Sequence, residues 1–162
     1  MDKTINRRKQ VPMVQKKKPV EPLAKTIERL KEKKSKLDKE LLVAAENGDV
    51  KAIRKLILSQ GADVNTDIGY YWTPLLKAVE NGRTAAVKLL VDLGADVSAT
   101  EGYHGHTALI LAAKEGHTET AKLLISLGME VDERQKSGVP SGITALMAAA
   151  MGGACRNREN VY

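Results

Sequence analysis

The stretch YWTPLLKAVENGRTAAVKLLVDLGADVS, residues 71–98, decides how the chain folds, because most of it recurs. TPLLKAVENG at 73–82 returns as TALILAAKEG at 107–116 and as TALMAAAMGG at 144–153, and KELLVAAENG at 39–48 precedes it in the same frame. VKLLVDLGADVS at 87–98 returns as AKLLISLGMEVD at 121–132 and is anticipated by RKLILSQGADVN at 54–65. Three sets of positions keep step: Leu41, Leu75, Leu109 and Leu146; Ala44, Ala78, Ala112 and Ala149; Gly48, Gly82, Gly116 and Gly153. Within each set the spacings are 34, 34 and 37 residues. Self-similarity at such a period marks a stacked repeat architecture.

Each unit has a physical logic. Thr73, Thr107 and Thr144 suit a helix N-cap, and Pro74 suits the first helical turn. The Leu and Ala positions that follow share one face, and the small Ala residues allow neighbouring helices to approach closely. Gly82 and Gly116 end that helix in a left-handed turn. A second helix follows, with Val87, Leu89 and Leu90 inward, matched by Ala121, Leu123 and Leu124. Gly94 or Gly128 ends it, and an extended segment leads to the next unit. No unit can bury its apolar face alone, so the units stack.

These residues resemble the ankyrin repeat family. The pattern of that family is roughly G-x-T-P-L-H-x-A-A-x-x-G, then a V-x-L-L helix, then G-A-D-V-N. The match runs through Thr73-Pro74-Leu75, Ala78, Gly82, Val87, Leu89-Leu90 and Gly94-Ala95-Asp96-Val97, and again through Thr107-Ala108-Leu109, Ala112-Ala113, Gly116-His117 and Leu123-Leu124. The resemblance implies an all-α repeat solenoid of helix-turn-helix units with β-hairpin-like finger loops, about three and a half repeats long. The repeat domain is expected over 38–153, as units 38–70, 71–103, 104–138 and a partial 139–153. The family's His after T-P-L is absent: Leu42, Leu76, Ile110 and Met147 stand there. The stack should therefore depend more on apolar packing. His117 matches the G-H of the family's helix-helix turn, a structural position.

Outward from the repeats the composition changes. The 162-residue chain carries a net charge of +6. Residues 1–40 hold 14 Lys/Arg against 6 Asp/Glu, a balance of +8, whereas 41–162 balance to −2. Residues 1–21 have no helical or strand period and read as a disordered basic tail. Its two clusters, Arg7-Arg8-Lys9 and Lys16-Lys17-Lys18, suit capture on an extended chain by a nuclear import receptor; a solubilising arm, or weak non-specific binding to nucleic acid, is the alternative. Residues 22–37 read as a helix, with Leu23, Ile27, Leu30, Leu37 and Leu41 in a heptad rhythm that Lys34 interrupts. It is expected to lie across the first repeat and cap its apolar face; a short coiled coil is the alternative. At the other end, Arg156, Asn157, Arg158, Glu159 and Asn160 stand where the fourth unit's second helix needs apolar residues, so 154–162 read as an irregular tail. Such an uncapped end leaves Leu146, Met147 and Met151 facing water and favours self-association. The segment DERQKSGVPSGIT, longer than its counterpart by three residues, reads as a surface loop or an extended finger.

Chemistry is hard to find. With one Cys, Cys155, no internal disulfide forms, which suits a reducing compartment in the cytoplasm or nucleus. No apolar run reaches the roughly 18 residues of a membrane span. The glycines terminate helices and do not form a phosphate-binding run. His104-Gly105-His106 reads as surface histidine, with no Cys or carboxylate at a ligand spacing and hence no metal. No cofactor, and no paired carboxylates for acid–base work, are apparent, so a non-enzyme is expected.

Aromatics make up only 3% of the chain, and four of the five precede the first helices: Tyr70, Tyr71 and Trp72 before Thr73, and Tyr103 before Thr107, with His104 and His106. The resemblance places these in the fingers, which with the concave inner helices form the usual partner groove. Trp72 and His106 match its variable, exposed position before the Thr. Trp and Tyr are the commonest interface hot spots. The expectation is a protein-interaction module whose partner-binding residues are Tyr70, Tyr71, Trp72, Tyr103, His104 and His106. The alternatives are the N-terminal ankyrin portion of a larger enzyme or signalling protein, and a nuclear or nucleic-acid-associated protein acting through its basic tail.

Overall fold

The computed structural model of the chain describes residues 22–67, 69, 71–102, 104–130, 144–147 and 149. Among the described residues six helices with defined bounds follow in order: α1 (Leu23–Asn47), α2 (Val50–Gln60), α3 (Pro74–Glu80), α4 (Thr84–Asp92), α5 (Ala108–Lys114) and α6 (Thr118–Ser126). They pair as three helix-turn-helix units. The first helices α1, α3 and α5 pack in sequence as one layer, and α2, α4 and α6 pack in sequence as a second. Among the described residues there is no strand; a lone antiparallel bridge joins Thr100 and Thr107 at the base of the third unit's finger. The all-α repeat architecture expected of the repeats is the architecture found. No helix among the described residues is long and apolar enough to cross a membrane.

Local chemistry sets the helix ends. The Thr73 hydroxyl accepts the amide of Leu76 at 3.3 Å, that of Thr107 the amide of Ile110 at 3.4 Å, and that of Thr144 the amide of Met147 at 3.4 Å. Asp49 caps α2, its carboxylate accepting from the amides of Lys51 and Ala52. The recurring Leu and Ala positions fill the core: Leu41, Leu75 and Leu109 with Ala78 and Ala112 are buried, as are Val87, Leu89, Leu90 and Leu124. Leu42, Leu76 and Ile110, which stand where the family's His is missing, are buried apolar contacts as well. At about 25 cal/mol per Å², full burial of each such side chain contributes about 2 kcal/mol.

The units are also stitched by hydrogen bonds. Arg83 Nε donates to the Glu46 carbonyl at 3.0 Å, and His117 Nε2 donates to the Glu80 carbonyl at 2.9 Å. Each side chain thus reaches back across one repeat to the end of the preceding first helix. That reach demands glycine. Gly82 has φ +63°, and a Cβ there would stand 2.6 Å from His117 Nδ1. Between α4 and α6 the hydroxyls of Thr84 and Thr120 meet at 2.8 Å. At the base of the first finger, the Asn65 side chain accepts the Asp96 amide at 2.8 Å.

One sequence expectation is corrected here. Residues 22–37 do not form a separate helix folded across the first repeat. No Gly or Pro interrupts the chain between Leu23 and Asn47, so the helix runs straight through Asp38 into the first repeat and stops only at Gly48, in a left-handed turn. A continuous helix cannot turn back to act as a cap, and Leu23 (75% exposed), Ile27 and Leu30 face solvent. Leu37 alone of the heptad positions before Leu41 packs against the core. Leu146 and Met147 of the fourth unit are exposed. Met151, the long segment between the third and fourth units, the basic clusters Arg7-Arg8-Lys9 and Lys16-Lys17-Lys18, and the 154–162 tail lie outside the described residues.

Candidate functional site

The sequence puts its aromatic and histidine residues just ahead of the first helices, and the structure separates them into two unlike groups. Tyr70 and Tyr103 lie outside the described residues. In the second unit, Tyr71 is 67% exposed, and its backbone sits at φ +58°. It is the one positive-φ residue other than glycine among the described residues. The left-handed region brings a Cβ too close to its own carbonyl, at a cost of about 1–2 kcal/mol for an L-residue. Strain of this kind persists only where the surroundings enforce it, and such residues cluster at functional sites.

Trp72 is not the free aromatic that its position implied. It is half-buried and packs against the apolar core. The Lys77 ammonium lies 4.1 Å from the centre of its ring, a cation–π contact, and is itself held 2.9 Å from the Glu80 carboxylate. The indole therefore presents one partly exposed face beside a positive charge, with Tyr71 as its exposed neighbour.

The third unit's finger differs. His106, also expected to be exposed, is buried. The bridge between Thr100 and Thr107 closes the loop in which it stands. The Glu101 amide donates to the His106 carbonyl at 3.1 Å and the Gly105 amide to the Glu101 carbonyl at 3.0 Å. Around this turn the Glu101 side chain, 2% exposed as a residue, gathers its neighbours. Its Oε1 accepts the His104 amide at 2.6 Å, and His104 Nδ1 and His106 Nδ1 stand 3.3 and 3.2 Å from the same oxygen. The two imidazoles stack, with centroids 5.0 Å apart. Burial pushes the His106 imidazole below its ordinary value. Glu101 pulls the other way, and the nearby charges of Lys114 and His104 push it down again.

Of the expected contact residues, then, Tyr71 and His104 are exposed, Trp72 is half-buried and His106 is buried. Glu101 is the residue that sequence reading passed over. No carboxylate was expected at a ligand spacing from the histidines, yet Glu101 stands three residues before His104 and five before His106. The spacing E-G-Y-H-G-H was the available signal, and the turn geometry gives it meaning.

Comparison with known proteins agrees with the architecture. The family model for ankyrin repeats matches residues 41–135 as three copies. No curated protein matches the chain. Repeats of this kind are in general protein-interaction modules without catalysis of their own. Three stacked helix-turn-helix units with Thr-capped first helices and glycine-ended turns, matched by that model over more than half its length, mean that the chain belongs to the ankyrin repeat family.

Proposed function

We propose that this chain is a non-catalytic adaptor that binds a partner protein through its fingers and the adjoining row of first helices. Tyr71 is the observation that carries the reading: a large aromatic side chain held in solvent on a backbone conformation that costs free energy. Folding alone gives no reason to put Tyr there, since Gly would occupy the same turn without strain. An exposed Tyr beside a half-buried Trp in cation–π contact with Lys77 has the composition of an interface hot spot. The helices that follow it, α3 and α4, are packed into the core, so binding costs little reorganisation of that scaffold. Partner affinity measured with Tyr71→Ala is expected to fall about tenfold or more, with the helical circular dichroism unchanged. Lys88→Ala, on the exposed face of α4, serves as the control. Equal affinity of Tyr71→Ala and the unaltered protein overturns the placement.

The basic clusters Arg7-Arg8-Lys9 and Lys16-Lys17-Lys18 support a second element of the same reading, an address that brings the module to the nucleus. Fusion of residues 1–21 to a fluorescent reporter tests it. Nuclear accumulation that is lost when both clusters are changed to Ala is the expected result, and cytosolic retention of the fusion removes the address.

A further inference from the structure

We propose that Glu101, His104 and His106 form a binding site for a divalent cation of the zinc class in the third unit's finger. One ligand atom from each of the three lies within 4.8 Å of the other two. Both imidazole Nδ1 atoms converge on one carboxylate oxygen, at 3.2 and 3.3 Å. Those separations stand at the long end of the N–H···O range of about 2.7–3.2 Å and just beyond it. They match the edge of a tetrahedron whose centre stands about 2.0–2.1 Å from each corner, the bond length of zinc to His nitrogen and carboxylate oxygen.

Without an ion, Glu101 Oε1 takes the His104 amide at 2.6 Å, lies 3.5 Å from the His106 amide, and accepts from both rings as Nδ1–H tautomers. The same convergence serves a cation: each imidazole moves its proton to Nε2 and turns the Nδ1 lone pair to the ion, and the carboxylate, almost wholly withdrawn from water, supplies the third ligand and the opposite charge. The parts divide the work. Glu101 and His106 are buried and fixed by the bridged turn, while His104 is exposed, giving an ion a way in and a ring with freedom to close the third side. Two nitrogens and one oxygen suit zinc over calcium or magnesium, which prefer all-oxygen shells, and leave a fourth position for water or a partner's side chain. The Lys114 ammonium, near enough to influence His106, opposes the ion and limits its affinity.

The chain has three His and one Cys, so the site can be dissected completely. Zinc chloride is titrated calorimetrically into the untagged full chain in a non-coordinating buffer, and the imidazole nitrogens are followed by long-range proton–nitrogen correlation. The expected result is one ion per chain, with the Nδ1 resonances of His104 and His106 moving and those of His117 unmoved. His104→Ala, an exposed substitution, is expected to raise the dissociation constant at least about tenfold, as is Glu101→Gln. Cys155→Ser is expected to leave it unchanged, and Lys114→Gln to lower it a few-fold. Absence of binding, binding undiminished in His104→Ala, binding lost in Cys155→Ser, or static Nδ1 resonances in the unaltered protein would each overturn the site. The nitrogen resonances decide the question without any variant, so a substitution that disturbs the fold does not blunt the test.

Discussion

The fingers of the second and third units stand at the same place in the repeat, one before Thr73 and the other before Thr107, and they solve the same problem differently. In the second, the turn is bought with backbone strain at Tyr71, and the residue before the Thr, Trp72, lies half-buried against the core with Lys77 over its ring. In the third, a Thr100–Thr107 bridge closes the loop, and the residue before the Thr, His106, is drawn inside to Glu101. One finger therefore offers an exposed aromatic surface; the other encloses a polar cluster. Equivalent sequence positions in a repeat thus share a backbone role without sharing a chemical one, and each finger has to be read from its own closure.

The largest effect is expected from removing the frame that both fingers stand on. Gly82→Ala places a Cβ at φ +63° and drives it into the His117 ring, which must give up its bond to the Glu80 carbonyl. A loss of about 2–3 kcal/mol is expected in chemical denaturation. A loss under about 0.5 kcal/mol would show that the ring moves aside freely and that the stitch between repeats is slack.

The next changes separate the fingers. Glu101→Ala deprives the His104 amide and both imidazoles of their acceptor and is expected to cost about 2 kcal/mol. Trp72→Ala loses partial burial and a cation–π contact, about 1–2 kcal/mol. If denaturation midpoints showed Trp72→Ala to be the more damaging, the third finger would not be the one held by its polar core.

Acid sharpens the contrast further. His106 is held below its ordinary value of 6.5 when folded, so the unfolded chain binds the proton more readily. The contribution of neutral His106 is complete above the unfolded value and is lost as pH falls through the folded one. The melting temperature of the full chain should therefore drop as pH falls through and below about 6.5, and His106→Gln should flatten that part of the profile. The second finger contains no histidine. A profile unchanged by His106→Gln would assign the acid sensitivity elsewhere.

The smallest effect has the opposite sign. Tyr71→Gly relieves the left-handed strain and is expected to raise stability by up to about 1 kcal/mol in denaturant, offset in part by the greater freedom of glycine in the unfolded chain. A destabilised variant would mean that the Tyr71 side chain holds the turn and is not simply tolerated by it.

Much of the fold was legible in the sequence because it is periodic and local. The Thr caps, the glycine turns and the Leu and Ala faces each follow from a few adjacent residues, and their recurrence at a fixed step requires a stack. The continuity of α1 was legible too, in the lack of any Gly or Pro before Gly48, but the start of the first repeat at Asp38 suggested a boundary that the backbone does not make. The site was less legible. Tyr71 is named among the contact residues on its type and position, but the sequence leaves open whether it packs under the finger or stands exposed. The burial of His106 and the half-burial of Trp72 depend on how each loop closes, which no repeat pattern records.

The amino-acid sequence by itself determined the repeat, its helix ends and the apolar faces that make stacking obligatory, since these are set by residue type and spacing along the chain. Tertiary structure decided which finger residues meet. The cluster of Glu101 with two histidines and the reach of His117 over Gly82 arise only when the loop is closed and the next repeat is in place. Contacts between non-periodic side chains depend on angles and distances across the fold, and a turn of one residue more or less would send each of them to a different neighbour.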